Sequence, residues 1–106
     1  MNYADNFATY YALIDEINYS GPETLSVLEK LVEGIKSFLE LMPPKDEQFN
    51  KSVAFCVEQF RIDLKLVSNA RKRKSDEGKR DGFYEAKKEV KTDLMHTESR
   101  LKFIGY

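Results

Sequence analysis

An all-α fold, an antiparallel four-helix bundle with a long third helix, is predicted by three observations. Apolar residues recur at steps of three and four along most of the chain, the spacing that places them on one side of an α-helix. Gly21-Pro22 and Pro43-Pro44 interrupt that periodicity, and both pairs are strong breakers. No segment shows the strict alternation expected of a half-buried strand. With 106 residues, 42% hydrophobic and 33% charged, the chain suits one helical domain over residues 1–106.

The first helix is expected over 3–19, where Tyr3, Phe7, Tyr10, Ile14 and Ile17 form one stripe. Tyr11 and Leu13 widen it, and Asp15, Glu16 and Asn18 fall on the wet side. Ser20-Gly21-Pro22 ends it, and Pro22 suits the opening of a second helix because a first-turn amide has no intrahelical partner. That helix is expected over 23–42, with Leu25, Leu28, Val32, Ile35, Leu39 and Met42 as its main row. Val27, Leu31, Phe38 and Leu41 extend the apolar arc to about half the circumference, which predicts a central helix touching at least two neighbours. Gly34 either weakens its middle or permits a close helix approach.

The third helix is expected over 46–74, with Asp46 as N-cap and Phe49, Val53, Cys56, Val57, Phe60, Leu64 and Val67 on one face. Phe55, Ile62 and Leu66 form a second stripe roughly opposite. Arg71 to Gly82 contains no apolar residue and reads as solvated, with Gly78 and Gly82 favouring a turn and the charged residues favouring helix. The fourth helix is expected over 83–104, along the seam Phe83, Ala86, Val90, Leu94, Thr97, Leu101 and Ile104.

Charge is segregated. Residues 1–60 carry 4 basic and 10 acidic groups, and residues 61–106 carry 13 basic and 8 acidic groups. The two halves attract, as they would if acidic and basic helices neutralise one another inside a bundle. The longest apolar run, Val53 to Val57, is far below the roughly 20 residues of a transmembrane helix. Nothing resembles a signal peptide, and the single Cys56 forms no intrachain disulfide, so a reducing cytoplasmic setting is expected.

The inventory of catalytic chemistry is poor. His96 follows Asp93 by three residues, which is half of a di-iron helix motif, but no second histidine completes it. Cys56 lies in an apolar row, where a thiol acts as a small hydrophobe. The glycines stand singly, with no phosphate-binding loop among them. No catalytic residue, metal or cofactor is therefore expected. The leading expectation is a small non-catalytic protein-binding module, a regulator, inhibitor or adaptor. Its binding face comprises Phe55, Ile62 and Leu66 with Glu58 and Lys65 as rim, and a homodimer is one arrangement it allows. The competing view of the stripe has helix one or four wrapping behind helix three to cover it.

The alternative function is nucleic-acid association through Arg71, Lys72, Arg73, Lys74, Lys79 and Arg80. Interleaved Asp76, Glu77 and Asp81 and the lack of an aromatic within the run count against it. In length and four-helix pattern the chain is similar to the small immunity proteins that protect bacteriocin producers, and to phage- or plasmid-encoded helical inhibitors. That likeness is one of architecture and implies a non-catalytic inhibitory binder.

Overall fold

The computed structural model describes residues 3–104, which form four helices: α1 (Tyr3–Glu16), α2 (Glu23–Glu40), α3 (Glu47–Arg71) and α4 (Asp76–Phe103). Short connections turn each helix back along its predecessor. The long dimension of the molecule is 47 Å, set by α4, whose 28 residues rise about 42 Å at 1.5 Å each. α3 packs extensively on both α2 and α4, whereas α1 packs on α2 and α4 without reaching α3.

The predicted stripes are the core. Phe7 and Ile14 of α1 and the row Leu25, Leu28, Val32, Ile35 and Leu39 of α2 are fully buried. Phe60 and Val67 of α3 join Phe83, Ala86, Val90, Leu94 and Leu101 of α4, all fully buried as well. Tyr3, Tyr10 and Ile17 are half-buried against this core, and the rings of Tyr3, Phe7 and Tyr10 each meet Phe38 of α2 edge-on. α2 touches all three other helices. Its apolar arc is narrower than expected, because Val27 is 52% and Leu41 82% exposed. The space around Gly34 is open, so this glycine serves no close approach.

Local chemistry sets the helix ends, and several differ from the sequence expectation. α1 stops at Glu16 rather than residue 19. Beyond it the Tyr19 ring packs on Phe83, its amide donates to the Tyr84 hydroxyl at 3.1 Å, and its own hydroxyl donates to Asp76 at 2.7 Å. These contacts draw the chain out of helical geometry. α1 has no basic residue in its last turn; Lys87 of α4 fills that role, donating to the Ile17 carbonyl at 2.6 Å, where a cation complements the helix dipole. Gly21 then turns the chain with φ +153°, a conformation rarely open to other residues.

α2 ends at Glu40 rather than residue 42, ahead of the two prolines. Asp46 caps α3 from outside, accepting from the Phe49 amide at 2.8 Å. α3 ends at Arg71 rather than 74. The largest correction is the start of α4, which begins at Asp76 rather than Phe83. Ser75 caps it by accepting from the Gly78 amide at 2.9 Å, and Asp76 and Glu77 complement the dipole in the first turn. The turn is confined to 72–75, and the apolar-free segment beyond it is helical.

Candidate protein-binding site on the third helix

α2 and α4 occupy two sides of α3 and leave a third side open to solvent. Phe55, Ile62 and Leu66 lie there, exposed by 50, 44 and 36%. Neither α1 nor α4 blankets this stripe: among the described residues α1 does not pack on α3, and α4 borders its Phe55 end, where Arg100 lies 4.4 Å from the Phe55 ring centre and Phe103 lines the same cleft. Glu58 and Lys65 stand beside the stripe and are exposed. Glu58 pairs with Arg61 on its own helix, while Lys65 has no ion pair with any described residue.

At one end of this face, between the first half of α3 and the last turns of α4, is a cleft of about 630 Å³. Ser52, Phe55 and Cys56 form one wall, and Asp93, His96 and Thr97 the other. Cys56 is 3% exposed. Burial pushes its thiol up from the ordinary cysteine range, with Thr97 and Arg100 opposing that shift, so the sulfur stays protonated and a poor nucleophile. Asp93 and His96 share the cleft, but among the described residues no three His, Cys, Asp or Glu side chains converge to hold a metal ion.

Deeper in the α3–α4 seam is a group not identified from the sequence. Asp63 is fully buried, and among the described residues no donor meets either of its carboxyl oxygens; its neighbour is the Asp93 carboxyl. Desolvation first, and then the neighbouring Asp93 and Glu89, raise its pKa to about 9, so it is protonated at neutral pH. Its position was readable: Asp63 lies three residues after Phe60 and four before Val67, inside the buried phase of the helix. A count of apolar residues passes over a carboxyl in that phase.

The basic segment is largely engaged within the chain. Arg71 pairs with Glu29 at 3.1 Å and Arg73 with Glu85 at 3.1 Å. Lys79 donates to the Arg73 carbonyl, and Arg80 lies 3.9 Å from both Glu77 and Asp81. Lys72 and Lys74 are exposed. The attraction between the acidic and basic halves takes material form in Arg71–Glu29 and in Lys91–Asp15, the latter at 2.8 Å.

No helix among the described residues is long and apolar enough to cross a membrane. Comparison with known protein families, curated proteins and solved structures found no match. The described residues form an all-α helical bundle with exposed apolar residues along α3.

Proposed function

We propose that this protein is a small intracellular, non-catalytic protein-binding module, a regulator, inhibitor or adaptor, that works through the outer face of α3. The observation that carries this reading is the exposure of Phe55, Ile62 and Leu66 along one helix side. Apolar residues grouped in this way and rimmed by charges are characteristic of interaction surfaces. Association with nucleic acid through Arg71 to Arg80 has less support, because Arg71, Arg73, Lys79 and Arg80 already have partners within the chain.

The test is Ile62→Asp. The change places a charge at the centre of the face without touching the buried stripes. Helical content and thermal unfolding should stay close to those of the parent chain, while capture of a bound protein from extracts of the native host, read by mass spectrometry, should be lost. A folded variant that captures the same protein equally well overturns the reading.

A further inference from the structure

The exposed side of α3 carries more order than three scattered apolar residues. Gln48, Ser52, Phe55, Gln59, Ile62, Leu66 and Asn69 follow one another at alternating steps of four and three, the seam spacing of a coiled coil; Ser52 is buried toward α4 and Gln59 half-buried, while the others are exposed. The Gln48 to Gln59 half of this seam borders the cleft shared with α4, where Arg100 lies over Phe55, and Ile62, Leu66 and Asn69 continue beyond it as exposed residues. The residues just before Gln59 and Leu66 are Glu58 and Lys65, one acidic and one basic, at equivalent flanking positions of successive heptads.

Those two charges select an arrangement. When two copies of such a seam pack antiparallel, flanking positions of this type face their own counterparts across the two-fold axis. With the axis crossing α3 between Phe60 and Arg61, Phe55 of one copy meets Leu66 of the other, and Gln59 meets Ile62. Glu58 then approaches Lys65 of the second copy, and Lys65 approaches its Glu58. One helix thus presents a surface on which Phe55 and Leu66, and Glu58 and Lys65, are reciprocally matched. A parallel pairing sets Glu58 against the second copy's buried Asp63 position and loses both matches.

We infer that the protein partnering this face is a second copy of the same chain, docked antiparallel along α3 with reciprocal Glu58–Lys65 pairs. This inference rests on the protein-binding reading of the face and names its occupant. Gln59, which faces Ile62 in this register, lowers the affinity of the pair. Lys65, which has no ion pair with any described residue of its own chain, acquires one in the pair.

The experiment is sedimentation velocity on the full chain at low ionic strength across a wide concentration range, with Glu58→Lys, Lys65→Glu and the double exchange compared after circular dichroism has established that each is folded. The parent chain should reach twice its 12.3 kDa mass. Each single exchange sets like charges opposite one another twice in the pair and should weaken dimerisation by about tenfold or more. The double exchange reverses both pairs and should restore association. A parent chain that remains at the mass of one copy up to about millimolar concentration, or a double exchange no better than the singles, overturns the inference. A monomeric parent whose captured host protein is still lost on Ile62→Asp leaves the broader protein-binding reading standing, while a monomer indifferent to that change removes both.

Discussion

Gly82 of α4 lies against Ala70 of α3 so closely that a Cβ built on it falls 2.5 Å from the Ala70 Cβ and 3.1 Å from its Cα. The two helices meet backbone to backbone near the turn that joins them, which the absence of a side chain at Gly82 allows. Gly82→Ala should therefore destabilise the fold by about 1–3 kcal/mol, against the helix propensity gained. Chemical denaturation measures this. Adding Ala70→Gly makes room for the new methyl, so the cost of Gly82→Ala should shrink in the Ala70→Gly background, a coupling that a double-mutant cycle resolves.

Asp63 gives stability a pH dependence opposite to that of a salt-bridged carboxylate. Its pKa is raised in the folded state by burial, with Asp93 and Glu89 nearby, while in the unfolded chain it ionises near an ordinary value of about 3.9. The folded state thus holds a proton that the unfolded chain releases. The associated stability is complete below about pH 4 and declines as pH rises toward the folded pKa. Asp63→Asn, which cannot ionise, should unfold at higher denaturant than the parent at pH 8 by the equivalent of about 1–3 kcal/mol. At pH 4 the two should be nearly equal. Urea titrations at the two pH values check both the gap and its sign.

Ser75 holds the first turn of α4 through its bond from the Gly78 amide. Ser75→Ala should cost about 0.5–2 kcal/mol. The loss should be local: amide exchange should accelerate over residues 76–82 while the buried stretch from Phe83 onward stays protected. Because Asp76 also accepts from Tyr19, exchange at the α1–α2 connection should rise with it.

Gly34 sits mid-helix in α2, with open space where its Cβ would be. Gly34→Ala should stabilise the protein by about 0.5–1 kcal/mol, visible as a raised thermal midpoint with unchanged helix packing.

Periodicity located the buried rows because burial in a bundle acts on spacing, and the rows from Leu25 to Leu39 and from Phe83 to Leu101 needed no other information. It also separated the open side of α3 from the buried side. Whether another segment covered that side depended on where α1 docks; Lys91 ties α1 to α4 through Asp15, and Lys87 and Tyr19 tie the segment just after α1 to the same helix, long-range contacts that spacing does not encode. The start of α4 was missed because Asp76 to Gly82 has no apolar residue to mark a phase. Ser75 followed by Asp76 and Glu77 was the available signal. Asp63 and the Gly82–Ala70 contact were hidden for a related reason: each is the exception to its stripe, one polar and one lacking a side chain.

The one sulfhydryl in the chain has a practical consequence. Cys56 is walled between α3 and α4 and nearly sealed from solvent, so a maleimide or disulfide reagent reaches it only when those two helices part. Its rate of chemical capture is a built-in clock for breathing of the hairpin, readable on the unmodified protein and in living cells alike.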